Sequence, residues 1–181
     1  MKRLGQISPR TILAGTFAVF LLPVVMVGLF PAQLDTVIEK STYLVFHNVA
    51  EFFSIMVSLS VFSMGWFTFE QSRDRHALFL GTAFLAVGLL DFMHTMSNAA
   101  MPAFISPNST NKSTQFWLAA RLFDSTALLA SAFVYPESKT RWLSKKALLT
   151  SALTATGLAF TGIVFFPSYL PATARGSDSP H

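Results

Sequence analysis

The stretch ALFLGTAFLAVGLLDFMHTM, residues 77–96, is almost wholly apolar yet carries Asp91 and His94 near its end. About 20 predominantly apolar residues are enough for a helix to cross a bilayer. The stretch therefore predicts a transmembrane helix, and side chains three residues apart lie on one face of it. Lipid offers no hydrogen-bond partners, so we expect that face to point into a bundle of helices.

The composition of the whole chain agrees with a membrane location. Charged residues make up 12% of the 181 residues, whereas soluble domains carry about a quarter. The mean hydropathy is +0.50. The absence of cysteine excludes disulfides and thiolate metal sites. The net charge of +4 does not indicate nucleic-acid binding, because the basic residues occupy short loops between apolar runs.

The apolar runs predict an all-α fold, a polytopic transmembrane helix bundle with five spans. The spans are expected at residues 12–30, 43–69, 77–96, 116–135 and 147–166. Residues 1–11 would form a cytoplasmic N-terminal tail, residues 12–166 the five-span domain, and residues 167–181 an extracytoplasmic tail. The first run is longer than the roughly 7–15 apolar residues of a signal-peptide core, so we interpret it as a retained anchor.

Positive charge in short loops predicts a cytoplasmic N-terminus. The polar, irregular loop 97–114 then lies outside the membrane, and His76, in an inner loop, is expected to be solvated. The basic residues expected inside are Lys2, Arg3, Arg10, Arg73, Arg75, Lys139, Arg141, Lys145 and Lys146. Those expected outside are Lys40, Lys112 and Arg175.

The second, third and fourth predicted spans carry ionisable side chains, which cost about 2.5–3.5 kcal/mol each when inserted deep in a bilayer. Each span carries two of them, three or four residues apart and so on one helical face. Counted from the predicted membrane surfaces, all three pairs lie in the outer half of the bilayer, where they can converge on one site. The candidate sensing or ligand-binding residues are His47, Glu51, Asp91, His94, Arg121 and Asp124.

The charges of this set do not balance, because three carboxylates face one arginine. One interpretation is a structural clamp between helices with no bound species. A second is a divalent metal or haem, and a third is a pocket for a small organic or protonatable ligand. The candidate metal ligands are His47, Glu51, Asp91 and His94.

Three stretches resemble the third type of bacterial membrane-associated sensor domain. They are HNVAEFFSIMVSLSVFSMGW at 47–66, LGTAFLAVGLLDFMHTMSNAAMP at 80–102 and FWLAARLFDSTALLASAF at 116–133. The resemblance extends from about residue 30 to about residue 171. Its short elements, His-x-x-x-Glu, Leu-Asp-x-x-His and Trp-x-x-x-Arg, occur in order on successive spans. They fall on His47, Glu51, Asp91, His94, Trp117 and Arg121.

The resemblance implies a multi-pass input domain in the bacterial cytoplasmic membrane. Such domains precede histidine kinases, diguanylate cyclases and related cytoplasmic effectors, and their outputs favour a homodimer. It also implies further spans before the effector, so the chain is expected to be truncated and to have no catalytic activity of its own. The expected partners are the lipid bilayer and a cytoplasmic effector domain, with no nucleic acid.

Two other functions are compatible with the residues alone. One is a membrane-embedded metal-dependent enzyme, in which a metal held by histidines and carboxylates activates water. No His-Glu-x-x-His signature supports it. The other is a fragment of a transporter, where intramembrane acids and histidines are common. Confinement of the polar residues to one half of the bilayer argues against a path across it.

Overall fold

The computed structural model describes residues 8–29, 40–138 and 140–167. Lys2, Arg3, Lys139 and Arg175, on which part of the predicted orientation rests, lie outside these residues. The described part is helical and contains no named strand. Its α-helices are α1 (Pro9–Leu29), α2 (Lys40–Ser72), α3 (Arg75–Met96), α4 (Thr110–Ser131) and α5 (Lys145–Phe165), and a 3-10 turn spans Arg141–Leu143. The chain divides into two compact units, residues 1–42 with α1 and residues 43–181 with the other helices.

Three of these helices are long and apolar enough to cross a membrane: Thr42–Ser72, Arg75–Met96 and Lys145–Phe165. Within α1, Gly15–Met26 forms a shorter apolar stretch. Helix α4 does not reach the same hydropathy, because it begins with the polar sequence TNKSTQ and also carries Arg121 and Asp124. The prediction of an all-α chain with several membrane-length helices is thus confirmed for the described residues, while the five spans and their orientation stay predictions.

Polar caps determine where the helices of the second unit begin. The Asp74 carboxylate accepts a hydrogen bond from the Ala77 N–H at 3.0 Å, and the Ser109 hydroxyl accepts one from the Lys112 N–H at 3.1 Å. These side chains satisfy backbone donors that the first turn of a helix leaves without partners. Between α2 and α3, Arg73 adopts a left-handed conformation with φ of 55°, and its N–H bonds to the Phe69 carbonyl at 2.9 Å. The chain therefore reverses direction within two residues.

Helices α2 and α3 approach closely along a seam of small residues. A Cβ atom added to Gly65 would collide with the backbone carbonyl of Ala77. One added to Gly81 would lie 3.3 Å from the carbonyl oxygens of Val61 and Phe62. One added to Gly88 would lie 3.1 Å from the Ser58 Cβ. Small residues let helix backbones pack tightly in membranes, where the hydrophobic effect does not drive association.

Helix α3 is the centre of the second unit and packs against both α4 and α5. Half of its most apolar window is buried, against about a fifth for α2 and for α5. A buried cluster joins α3, α4 and α5 through Leu90, Phe116, Ala120 and Ile163. Asp91 and His94 on α3 therefore lie beside a packed core, since Leu90 belongs to it and Met93 packs against it.

The two ends of the unit differ in character. The loop end, which we define by residues 97–109, is organised by two buried or partly buried side chains. The Lys112 ammonium donates to the carbonyl oxygens of Phe104 at 2.9 Å and Ser106 at 3.2 Å, and the Asn108 amide donates to that of Met96 at 3.0 Å. Burial lowers the pKa of Lys112, because desolvation penalises its charged form. The loop is irregular, as predicted, but its backbone is anchored.

The opposite end, which we call the turn end, comprises the Arg73–Asp74 turn, residues 132–138 and 140–144, and the adjoining helix ends with Glu70, Arg75, His76 and Lys145. Lys145 forms an ion pair with Glu70 at 2.9 Å, and Arg75 donates to the Leu143 carbonyl at 2.8 Å. The prediction of a solvated His76 is wrong, because its ring is partly buried and its Nδ1 lies 3.0 Å from the Val134 carbonyl oxygen. Basic residues connect three helices at this end.

Candidate functional site

Helix α3 carries Asp91 and His94 to the loop end on its buried face. The residues that share this face by helical spacing, Gly88, Asp91, His94 and Thr95, are all buried. Asp91 is 1% exposed, and the Thr95 hydroxyl donates to its backbone carbonyl at 2.9 Å. The acid and the imidazole of residues 77–96 thus face the interior of the bundle.

Asp91 forms an ion pair with Arg121 that joins α3 to α4. The Arg121 Nη2 lies 2.6 Å from both carboxylate oxygens. A buried carboxylate needs such a partner, because the loss of its hydration is otherwise uncompensated. The charge of Asp124 also acts on this guanidinium, although the Asp124 carboxylate forms no hydrogen bond or ion pair with another described residue. The clamp interpretation fits this part of the cluster.

His94 is held by the start of α4. Its Nδ1 lies 2.8 Å from the Ser113 carbonyl oxygen and 3.0 Å from the Ser113 hydroxyl, which in turn donates to the His94 carbonyl at 3.2 Å. A carbonyl oxygen only accepts hydrogen bonds, so we assign the Nδ1 proton to the histidine. In the neutral ring the Nε2 lone pair is then free, and this atom lies 3.9 Å from Glu51 Oε1.

Glu51 lies between two histidines. Its Oε1 is 4.0 Å from the His47 Nδ1 and 3.9 Å from the His94 Nε2, both longer than a hydrogen bond. The two imidazole rings meet edge to face with their centroids 5.6 Å apart. One potential ligand atom from each residue lies within 4.8 Å of the others. We call His47, Glu51 and His94 the His–Glu–His group.

The structure separates five of the six predicted residues into two neighbouring sets, the Asp91–Arg121 pair and the His–Glu–His group, and leaves Asp124 in neither. The four predicted metal ligands do not all come together: Asp91 lies outside the His–Glu–His group because Arg121 occupies its carboxylate. The face of α4 that carries Arg121 and Asp124 is also only partly buried. Trp117, four residues before Arg121, and Leu128, four residues after Asp124, lie on that face and are exposed. The buried face of α4 consists of Lys112, Ser113, Gln115, Phe116, Ala120, Ala127 and Ser131.

Two residues at the site were missed at the level of sequence. Ser113, which holds His94, lies four residues before Trp117 and eight before Arg121, so continuing that helical face toward the N-terminus would have found it. Tyr43 lies four residues before His47 and stacks on its ring with centroids 5.8 Å apart. Neither is an acidic, basic or histidine residue, so the pattern of ionisable pairs did not indicate them.

The comparisons with known proteins give one match. A family model described as a membrane-associated sensor domain, MASE3, matches residues 38–178, which is more than three quarters of the chain. The searches of curated proteins and of solved structures found no match to this chain. The matched range contains all of α2, α3, α4 and α5 and every residue of the site.

Proposed function

This chain belongs to the MASE3 family of membrane-associated sensor domains, and from that premise we propose that it is the input domain of a bacterial signal-transduction protein. The output would be a histidine kinase or a diguanylate cyclase on the cytoplasmic side of the inner membrane. The chain itself would detect a cue and perform no catalysis. The cue would bind at the loop end, in the outer half of the bilayer.

The observation that carries this proposal is the contrast between the two sets of residues. The Asp91–Arg121 pair is closed, with Nη2 2.6 Å from each carboxylate oxygen. In the His–Glu–His group beside it, Glu51 Oε1 lies 4.0 Å from the His47 Nδ1 and 3.9 Å from the His94 Nε2, so neither contact is a hydrogen bond. The ion pair holds α3 and α4 together, while the neighbouring His–Glu–His group can still form bonds to a ligand. A ligand that formed those bonds would bring the three side chains closer together. The ligand would act between α2, which carries His47 and Glu51, and α3, which carries His94.

The length of α2 offers a route for the signal. The helix has 33 residues and reaches from the His–Glu–His group to the turn end. Glu51 and Glu70 are 19 residues apart, which is about 28 Å along a helix. A cue that binds one arrangement of α2 and α3 better than another shifts their balance. A displacement of α2 would change the position of Glu70 relative to Lys145, its ion-pair partner on α5.

The test measures whether the turn end responds to conditions at the loop end. The chain has no cysteine, so Phe67→Cys on α2 and Leu129→Cys on α4, both at exposed positions, allow two spin labels to be attached selectively. The distance between the labels would be measured in lipid nanodiscs by electron spin resonance. Conditions would include zinc, a chelator, and pH from about 5 to 8, where histidines titrate.

We expect at least one condition to shift the distance distribution of this labelled chain. Adding Glu51→Gln, which removes the central carboxylate charge, should abolish the shift while the helices stay folded by circular dichroism. A labelled, folded chain whose distances stay the same under every condition would overturn the proposal.

A further inference from the structure

The His–Glu–His group has the composition of a metal site. We propose that His47, Glu51 and His94 bind a divalent transition-metal ion that bridges α2 and α3. This inference rests on the proposed function, because it names the class of cue or resident ligand at the same site. The two nitrogens and one carboxylate oxygen lie within 4.8 Å of one another.

His94 is oriented as metal-binding histidines usually are. Such a histidine donates its other ring N–H to a carbonyl or carboxylate, which fixes the tautomer and turns the free nitrogen toward the metal. Here the Nδ1 contacts the Ser113 carbonyl at 2.8 Å, and the Nε2 faces Glu51. The Ser113 contact comes from α4, so three helices define the position of one ligand atom.

The distances are close to those of a bound ion. Ligands about 2.0–2.1 Å from a tetrahedral metal are roughly 3.3 Å from each other. The observed separations of 3.9 and 4.0 Å from Glu51 Oε1 therefore need to close by roughly half an ångström, and the two histidine nitrogens, which lie within 4.8 Å of each other, by up to about 1.5 Å. Rotation of the His47 and Glu51 side chains on α2 toward α3 would supply this movement. The bound ion would thus tie α2 to α3 at the loop end.

The ligand set selects the kind of ion. Calcium and magnesium prefer oxygen ligands, whereas two imidazoles and one carboxylate suit zinc, iron, cobalt, nickel or copper. Because Asp91 is neutralised by Arg121, Glu51 supplies the negative charge that a cation meets. A haem between the histidines is disfavoured, since Glu51 Oε1 lies within 4.0 Å of a nitrogen of each, in the space the iron would need. Three protein ligands leave a coordination position for water or a small ligand.

The experiment is a cobalt titration of the purified 181-residue chain in detergent, followed by visible absorption. We expect bands of four- or five-coordinate Co²⁺ that saturate at one ion per chain and disappear on addition of zinc. The Glu51→Gln and His94→Gln variants should bind at least tenfold more weakly. His76→Gln is the matched control, because His76 lies at the turn end, and it should bind like the wild type.

A second measurement needs no variant. Diethyl pyrocarbonate modifies free histidine nitrogens, and mass spectrometry can assign the modified residues. Zinc should protect His47 and His94 but not His76. Equal modification with and without zinc, or cobalt bands unchanged in a folded His47→Gln, His94→Gln double variant, would overturn the metal site.

The spin-label measurement separates this inference from the proposed function. Metal binding at these residues with no distance change would retain the site and reject sensing through it. A distance change with pH in a chain that binds neither cobalt nor zinc would retain the sensor and reject the metal.

Discussion

At the scale of single residues, the two members of the Asp91–Arg121 pair are not equally exposed. Asp91 is 1% exposed, while the Arg121 side chain is 39% exposed. Removing one partner of a buried ion pair leaves the other charge without compensation, which is far more costly than losing an exposed pair. The Arg73–Glu70 pair, with both side chains mostly exposed and 3.8 Å apart, provides the comparison within the same chain.

We therefore expect Arg121→Ala to lower the free energy of unfolding by about 3–5 kcal/mol, and Arg73→Ala by less than about 1 kcal/mol. Arg121→Ala should also cost more than His47→Ala, because the His47 side chain lies 4.0 Å from Glu51, beyond hydrogen-bond distance. Denaturation in mixed micelles, followed by circular dichroism, measures these differences. The double variant Asp91→Leu, Arg121→Met should recover much of the loss. Wild-type stability of Arg121→Ala would show that the pair is not a clamp.

At the scale of secondary structure, helix packing depends on where the small residues fall. Gly65 and Gly81 bring α2 and α3 into backbone contact. Gly157 on α5 has no described atom within 4 Å of an added Cβ. All three glycines lie within apolar helices, so the neighbouring residues in the sequence do not show which of them contacts another helix.

The substitution of each glycine by alanine should separate these roles. Alanine in a helix gains up to about 1 kcal/mol over glycine, so Gly157→Ala should be neutral or stabilising. Gly65→Ala should be destabilising despite the same gain, because its Cβ meets the Ala77 carbonyl, which is backbone and cannot rotate away. The melting temperatures of the two variants, measured side by side by thermal unfolding, test this expected difference in stability. Equal melting temperatures would mean that α2 and α3 are not in close contact.

At the scale of the whole molecule, the bundle has two chemically different ends. The loop end carries the His–Glu–His group and the Asp91–Arg121 pair, and the turn end is rich in basic residues such as Arg75 and Lys145. Positive charge favours the cytoplasmic side. The predicted orientation therefore places the site toward the exterior, within reach of an external cue.

A test of this orientation uses single cysteines in a chain that has none. Ala100→Cys at the loop end and Glu137→Cys at the turn end both replace exposed residues. In intact cells, a membrane-impermeant maleimide should label Ala100→Cys at once and Glu137→Cys only after the membrane is permeabilised. The reverse pattern would invert the bundle and place the site on the cytoplasmic side.

What the sequence by itself determined was the class of the protein and the inward face of α3. Bilayer insertion depends on the length and polarity of a segment, and helical spacing sets which side chains share a face; both are local properties. The burial of Gly88, Asp91, His94 and Thr95 follows from that spacing. The resemblance carried by the motifs on α2, α3 and α4 agrees with the family match over residues 38–178.

Only the tertiary structure decided which groups are partners. Arg121 had three carboxylates within its predicted reach, and the rotation of α4 against α3 brings it to Asp91. That pairing removes Asp91 from the predicted metal ligands and leaves Glu51 with His47 and His94. The same rotation brings the carbonyl of Ser113 to His94. Every residue has a backbone carbonyl, so the sequence does not show which one will bind His94. The rotation of a helix depends on packing across the whole bundle, so the Arg121–Asp91 contact could not be predicted from residue types either.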